Sequence, residues 1–200
     1  MLRSLGLQLR KPSGFFGKIV SAMLIKWNRN RYEVLINDLK IQPNDKLFEI
    51  GYGPGLGINL ISKEYESCQV YGIDFSELMY LRATKRNKQF VNSNRVNLMF
   101  GDFLETEIDA RNFDKVFCLN VVYFWDNLQK PFEKANSLLK NDGLFYIYMD
   151  SKEDLSKVTF AEDDIFNKYT IEQIQDALKL AGFKEVGYYF DNGYFVKAKK

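Results

Sequence analysis

KLFEIGYGPGLG, residues 46–57, is the stretch of this chain that decides its fold. An apolar run, Leu47–Ile50, is typical of a short buried strand, and glycine then occupies every second position (51, 53, 55 and 57). Glycine lets the backbone turn sharply and lie close to a ligand, because no Cβ is in the way. Apolar residues at helical spacing follow over 58–65, so the stretch predicts strand, glycine turn and helix. Free N–H groups at such a helix N-terminus predict a cofactor site.

Strand and helix patterns alternate on either side of this turn. Further strands are predicted over residues 68–75, 96–103, 113–124 and 144–150, and helices over 77–90 and 130–140. Ser76 is a predicted N-cap, and Asn141–Gly143 is predicted to close the second of these helices. This alternation indicates a parallel sheet with helices on both faces.

The end of the chain breaks the alternation. Residues 151–169 are polar and predicted to be irregular, and a helix capped by Thr170 is predicted to stop at Gly182. Two β-rich runs then flank Asn192–Gly193, which is a strong hairpin signal. The predicted fold is therefore an α/β fold with a seven-stranded, mostly parallel sheet that ends in an antiparallel hairpin.

Composition restricts the chemistry. The chain has 200 residues, enough for one domain with a sizeable core, and contains no histidine, which excludes histidine bases and histidine metal ligands. Its two cysteines, Cys68 and Cys118, have no ligand-like spacing, so neither a metal site nor a disulfide scaffold is predicted. The apolar run over 15–25 is interrupted and too short to span a bilayer, and no signal peptide is recognised. A cytoplasmic protein is the expectation.

Polar side chains stand where several predicted strands end. Asp74 lies at the end of the second strand, 23 residues after Gly51, where an acid can accept both hydroxyls of a ribose. Asp102 lies at the end of the third strand and can accept from an exocyclic amine, while Asn120 lies in the fourth. Tyr123, Phe124 and Trp125 come next, as core packing or as a wall of the substrate site. Singly, each acid could merely cap a turn, but their order together predicts an adenosine-containing cofactor.

The glycine spacing narrows the choice of cofactor. A nicotinamide fingerprint, G-x-G-x-x-G counted from Gly51, requires a third glycine where this chain has Leu56. No G-x-x-x-x-G-K-[ST] loop for a nucleoside triphosphate occurs either. Binding of a nicotinamide dinucleotide and binding of a nucleoside triphosphate are therefore both disfavoured.

Five motifs in order resemble those of the class I S-adenosylmethionine-dependent methyltransferases. They are FEIGYGPG (48–55), VYGIDFSELMYLRA (70–83), FGDF (100–103), FDKVFCLNVVYFW (113–125) and SLLKNDGLFYIY (137–148). The resemblance implies a Rossmann-like fold and S-adenosylmethionine as the cofactor. It also implies cofactor-binding roles for a set of residues in these motifs: Glu49, Gly51, Gly53, Gly55, Asp74, Phe75, Asp102, Phe103 and Asn120.

The resemblance leaves the methyl acceptor open. The fourth motif reads LNVVYFW, not the N-P-P-Y or D-P-P-Y of enzymes that methylate amino groups of nucleic-acid bases. It therefore implies the small-molecule branch, with a metabolite, quinone-like or lipid-like acceptor. If the acceptor must lose a proton, Tyr123 is the candidate base, and Tyr123, Phe124 and Trp125 are the candidate acceptor-binding residues. The alternative is a non-catalytic module that binds the cofactor or a partner.

The N-terminal segment is strongly basic. Residues 1–31 carry seven Lys and Arg and no acid, so they are +7 and the remaining chain is −5 within the total of +2. Residues 14–38 read as one or two amphipathic helices with a break near Asn28–Asn30. A helical cover with a solvated basic face and a lid that touches an anionic membrane or lipid-like substrate are both compatible with this pattern. Nucleic-acid binding is disfavoured, because no basic strand with interleaved aromatic residues occurs.

The chain is predicted to consist of a cover and a cofactor-binding domain. Residues 1–42 are expected to form a helical lid or cover and residues 43–200 the S-adenosylmethionine-binding domain, all within one globular unit. The basic segment and residues 151–169 are expected to close over the acceptor. The oligomeric state is left open.

Overall fold

Seven strands form one sheet in the computed structural model, which describes residues 2–200. They are β1 (Lys46–Ile50), β2 (Gln69–Asp74), β3 (Val96–Phe100), β4 (Phe113–Leu119), β5 (Leu139–Met149), β6 (Glu185–Phe190) and β7 (Tyr194–Lys199). Their order across the sheet is β3-β2-β1-β4-β5-β7-β6. β1 to β5 are parallel, whereas β7 lies antiparallel between β5 and β6. The predicted mixed sheet is confirmed.

Helices surround this sheet. They are α1 (Leu2–Arg10), α2 (Gly14–Leu39), α3 (Leu56–Glu64), α4 (Glu77–Arg86), α5 (Lys88–Asn92), α6 (Gln129–Leu138), α7 (Lys152–Lys157) and α8 (Ile171–Leu180), with a 3₁₀ turn at Val122–Phe124. None of the helices within residues 2–200 is both long and apolar enough to cross a membrane.

Each central strand contributes to two hydrophobic cores, one on each face of the sheet. In β1, Leu47 belongs to the core that contains side chains of α2 and α3, whereas its neighbour Phe48 belongs to the core that contains side chains of α6 and α8. The same alternation recurs in β5, where Tyr146 and Phe145 belong to opposite cores. Because successive strand residues point to opposite faces, continuous apolar strands require helices on both sides.

Two local predictions at the end of the chain are confirmed. Thr170 Oγ1 accepts from the Gln173 backbone N–H, and the Gln173 side chain accepts from the Thr170 backbone N–H, which completes a capping box at α8. Asn192 and Gly193 have positive φ angles of 50° and 136° and connect β6 to β7. Only residues that tolerate this left-handed backbone suit so short a turn.

Other predicted boundaries are wrong. The fourth strand ends at Leu119 rather than at residue 124, because Asn120 adopts a φ of +58° and the next residues form the buried 3₁₀ turn. Helix α6 ends at Leu138, and Lys140–Gly143 belong to the first half of β5 instead of a turn that closes the helix. Leu139 pairs with Phe113, and a register shift after this pair accommodates the Asn-Asp-Gly sequence within the strand.

Residues 14–38 of the N-terminal region lie within one long helix, α2. Helix α2 continues through Asn28–Asn30 over its full 26 residues, so the alternative of two helices is excluded. Val20, Leu35 and Leu39 are buried on its inner side. Residues 151–169 are mostly irregular, as predicted, apart from α7, whose first turn is capped by the Ser151 hydroxyl.

Candidate functional site

A cavity lies at the carboxyl ends of β1, β2 and β4 and beside the loop that follows β3. Ligands of open α/β sheets bind at this edge. The residues of the predicted site that line it are Gly51, Gly53, Asp74, Phe75, Asp102, Phe103, Asn120, Phe124 and Trp125. Glu49, Gly55 and Tyr123 do not line it.

The glycine turn after β1 brings bare backbone to the cavity. Gly51, Gly53 and Gly55 all have positive φ angles, of 70°, 52° and 72°. A Cβ on Gly53 would meet no atom of the protein within 4 Å, so the space beside this residue is available to a ligand. Gly55 instead packs against Ala83 and Asn87 of the neighbouring helix, where it holds the start of α3 in place.

Asp74 is the central carboxylate of the site. It is only 7% exposed, and its two oxygens accept from the backbone N–H groups of Gly53 at 2.8 Å and Ser76 at 2.9 Å. Burial raises the pKa of Asp74 to about 6, against the effect of these two hydrogen bonds. A carboxylate offers about four acceptor positions, so about two remain for hydroxyl groups of a ligand.

The loop after β3 presents an acid and an aromatic ring. The Asp102 side chain accepts from the Leu104 backbone N–H at 2.8 Å, which holds the loop in a turn. Phe103 is buried, with its ring centroid 6.2 Å from that of Trp125. Phe75 lines the cavity as well, and the Lys11 ammonium lies 5.4 Å from the centroid of its ring. A flat heterocycle with an exocyclic amine fits between such groups.

Asn120 connects the cavity to three parts of the fold. Its backbone N–H donates to Tyr148 of β5 at 3.0 Å, and its left-handed backbone turns the chain away from the sheet. Its side-chain amide donates to the Asn28 side chain of α2 at 3.4 Å and accepts from the Tyr123 hydroxyl at 3.1 Å. Asparagine tolerates this backbone conformation, which is often found at functional sites.

The structure does not support Tyr123 as a base or as an acceptor-binding residue. Its side chain is 2% exposed and lies behind Asn120, and its oxygen accepts from the backbone N–H of Asp150. Burial raises the pKa of the Tyr123 phenol well above its ordinary value. Its hydroxyl therefore orients Asn120, and the phenolate that a base requires is disfavoured.

Glu49 lies beneath the glycine turn, away from the cavity surface. It is completely buried, and one of its oxygens accepts from the Tyr32 hydroxyl at 2.6 Å. Burial raises the pKa of Glu49 to about 8. Tyr32 itself lines the cavity, so its hydrogen bond to Glu49 connects this buried carboxyl to the site.

The sequence predicted that the N-terminal segment covers the site, but it did not identify the residues of this segment that line the cavity. The lining residues from this segment are Leu9, Arg10, Pro12, Leu24, Asn28 and Tyr32. The Ser76 hydroxyl, predicted only as a helix cap, also donates to the Pro12 carbonyl at 2.6 Å and fastens the α1–α2 connection beside Asp74. No local pattern marks these residues, because only the docking of α1 and α2 brings them to the sheet edge.

The same docking joins the N-terminal segment to the irregular region after β5. Arg3 forms ion pairs with Glu162 at 2.8 Å and Asp164 at 2.6 Å. Gly6 packs so closely on the Phe160 carbonyl that an added Cβ would lie 2.5 Å from its oxygen. The two segments predicted to cover the site therefore contact each other.

The cavity residues fit an adenosyl cofactor. Asp74 has acceptor positions left for a ribose, Gly53 leaves room for a close approach, and Phe103 provides an aromatic face for a base. Across residues 2–200, no group of three or more His, Cys, Asp or Glu side chains is arranged to hold a metal ion.

Comparisons with known proteins identify the family of the chain. The sequence model of the family described as "Methyltransferase domain" matches residues 48–147, half of the chain. The uncharacterized methyltransferase YdaC of Bacillus subtilis is 28% identical over 165 residues, which cover 82% of this chain and 86% of that protein. The sterol 24-C-methyltransferase of Debaryomyces hansenii is 24% identical over 161 residues, 75% of this chain but only 42% of that protein.

Solved structures share the fold. Phosphoethanolamine N-methyltransferase 2 of Haemonchus contortus, solved in complex with S-adenosyl-L-methionine, has a TM-score of 0.72 at 19% identity. The match covers 86% of this chain and 52% of that one, so this chain spans about half its length. At this identity the likeness shows the fold alone, and it confirms the predicted Rossmann-like architecture.

Proposed function

The chain belongs to the methyltransferase domain family, and from this premise we propose that it methylates a small-molecule acceptor of metabolite, quinone-like or lipid-like character. It is an S-adenosylmethionine-dependent methyltransferase, with S-adenosylmethionine as its cofactor. The proposal concerns the acceptor and the roles of individual residues.

The apolar lining of the cavity supports a small acceptor. Beside the polar groups described above, the cavity is lined by apolar side chains, among them Leu9, Leu24, Leu119, Val121, Phe124 and Trp125. Enclosed apolar walls with a few polar groups favour small, partly apolar ligands. The Debaryomyces hansenii relative is named for an acceptor of this kind, a sterol.

We assign binding and orientation to the residues of the site. When bound, S-adenosylmethionine supplies a methyl group already activated by a sulfonium. Asp74 would accept from the ribose hydroxyls, Asp102 and Phe103 would hold the base, and the N-terminus of α3 would favour the carboxylate of the amino acid moiety. Phe124 and Trp125, which line the cavity, would exclude water from it. Holding donor and acceptor in line contributes about 7–11 kcal/mol to lowering the barrier.

The alternative is a module that binds the cofactor without turnover, and one experiment separates the two. Calorimetry with S-adenosylmethionine is expected to show binding at a single site. Incubation of the protein and cofactor with a metabolite extract should then yield a product that has gained one methyl group, detected by mass spectrometry. Binding without any methylated product would favour the non-catalytic module, and absence of binding would contradict both.

Cofactor affinity is expected to fall in acid. The ionised form of Asp74 accepts from the ribose, and the pKa of this carboxyl is about 6 in the cofactor-free protein. Below that pH, protonation competes with binding, so the dissociation constant of S-adenosylhomocysteine should rise by up to about tenfold per pH unit. Calorimetry between pH 7 and pH 5 measures this slope.

The variant Asp74→Asn is the control for this pH dependence. It should bind more weakly at pH 7 and lose the slope around pH 6, because the amide does not titrate. An equal slope in Asp74→Asn would assign the pH dependence to another group.

A further inference from the structure

The outer side of α2 carries a stripe of apolar side chains. Phe15, Ile19, Met23 and Trp27 follow one another at intervals of four residues, which places them along one side of the helix. Phe15 is 79% exposed and Trp27 is 43% exposed, and Phe16 beside the stripe is exposed as well. Isolated exposed apolar residues are ordinary, but a contiguous group marks an interaction surface.

Basic residues accompany this stripe. Lys18 and Lys26 are exposed on α2, and Lys11 is exposed in the connection to α1. None of these three forms an ion pair with any residue in the described part of the chain. Glu33 is the first acidic residue of the sequence, so residues 1–32 contribute no acid of their own to this surface.

Leu7 of α1 is also exposed, by 47%. We propose that this N-terminal surface, formed by Leu7, Lys11, Phe15, Phe16, Lys18, Ile19, Lys26 and Trp27, docks on an anionic lipid bilayer. A helix that presents aromatic and aliphatic side chains together with lysines binds the interface of such a bilayer. Its apolar side chains enter the headgroup boundary and its ammonium groups attract the anionic lipids.

The charge of the surface argues against a second copy of the chain as its occupant. A twofold contact brings the same patch of each copy together. Lysines of one copy would then face lysines of the other without any acid to compensate them, and like charges in a contact oppose association. An anionic bilayer carries the charge opposite to that of the lysines, and it has no fixed shape that the surface would have to complement.

The position of the surface connects it to the cavity. Leu9, Pro12 and Leu24 line the cavity, and they belong to the same segment, 7–27, as the docking residues. An amphiphilic acceptor dissolved in the bilayer would therefore enter the cavity beside the docked helix. This route rests on the proposed function, whereas the membrane contact itself does not.

Vesicle flotation tests the membrane contact. The intact protein should float with phosphatidylcholine vesicles that contain about 30% phosphatidylglycerol and should bind pure phosphatidylcholine vesicles much more weakly. About 0.5 M NaCl should weaken the binding, because the Debye length becomes a few ångströms. The double variant K18Q/K26Q should lose about 25-fold in affinity, about fivefold for each lysine. F15S/I19S should lose at least about tenfold.

The control variant L180S/F190S removes two exposed apolar side chains outside this surface. Leu180 is 76% exposed on α8 and Phe190 is exposed on the edge strand β6. Flotation of this variant should equal that of the unmodified protein. An equal loss in L180S/F190S and F15S/I19S would contradict a specific docking surface.

Two further outcomes would overturn the proposal. Absence of flotation with anionic vesicles, by protein that still binds S-adenosylhomocysteine in calorimetry, would refute the membrane contact and leave the proposed function standing. A dimer in light scattering that F15S/I19S converts to a monomer would assign the surface to a second copy. Loss of cofactor binding in the intact protein would instead count against the proposed function alone.

Discussion

Replacement of Asp74 by alanine is expected to weaken binding of S-adenosylhomocysteine about 10- to 100-fold, which corresponds to about 1.4–3 kcal/mol. The variant removes the acceptor proposed for the ribose hydroxyls. It also leaves the backbone N–H groups of Gly53 and Ser76 without their present acceptor, since both donate to this carboxylate. The glycine turn would lose its tie to the end of β2. Calorimetry at pH 7.5 measures the loss.

A thermal unfolding curve of the cofactor-free variant separates the two contributions. If ribose binding dominates, Asp74→Ala should lose affinity with little change in melting temperature, because burial of the Asp74 carboxylate already disfavours its charged form. Asp102→Ala is the matched control, since Asp102 lines the same cavity but is exposed and holds only its own loop. It should cost less affinity than Asp74→Ala. Unchanged affinity in Asp74→Ala would place the ribose elsewhere.

Replacement of Gly55 by alanine is expected to lower the free energy of unfolding by about 2–4 kcal/mol. Gly55 has a φ of +72°, a conformation that a Cβ disfavours by about 1–2 kcal/mol. The added Cβ would also lie 2.8 Å from the Cβ and 3.0 Å from the Cα of Ala83. Because the second of these atoms is backbone, α3 and α4 would have to separate. Urea denaturation measures the loss.

Two other glycines act as controls for Gly55. Gly14 has a φ of +59° and no atom within 4 Å of an added Cβ, so Gly14→Ala should show the backbone cost alone. Gly53 is equally free of protein neighbours but lines the cavity. Gly53→Ala should therefore resemble Gly14→Ala in stability and differ from it in weaker cofactor binding. If Gly55→Ala is no less stable than Gly14→Ala, the packing of α3 against α4 is not what requires glycine.

The role of the N-terminal segment shows the limit of local patterns. Its helical character and its role as a cover were predictable from the sequence, but the residues with which it lines the cavity were not. Asn28 and Tyr32 reach the site because the inner side of α2 packs on the sheet, where Leu35 and Leu39 are buried. Residues far apart in sequence become neighbours only through such packing.

The aromatic run after Asn120 shows a second limit. Periodicity did not distinguish a continued strand from a buried turn, because both are apolar throughout. The left-handed backbone of Asn120 decides between them, and it places Phe124 and Trp125 at the cavity but Tyr123 behind it. The sequence identified Tyr123, Phe124 and Trp125 as candidates, but it did not show which of them line the cavity.

The sequence by itself determined the order of the strands, the glycine turn, the helix caps at Ser76 and Thr170, the final hairpin and the acid at the end of β2. These features depend on backbone freedom, hydrophobic period and short-range hydrogen bonds, all of which act within a few residues. Only the tertiary structure shows that Glu49 lies under the turn, that Tyr123 lies behind Asn120, and which residues of α1 and α2 line the cavity. Such outcomes depend on burial and on contacts between distant segments, which no local pattern encodes.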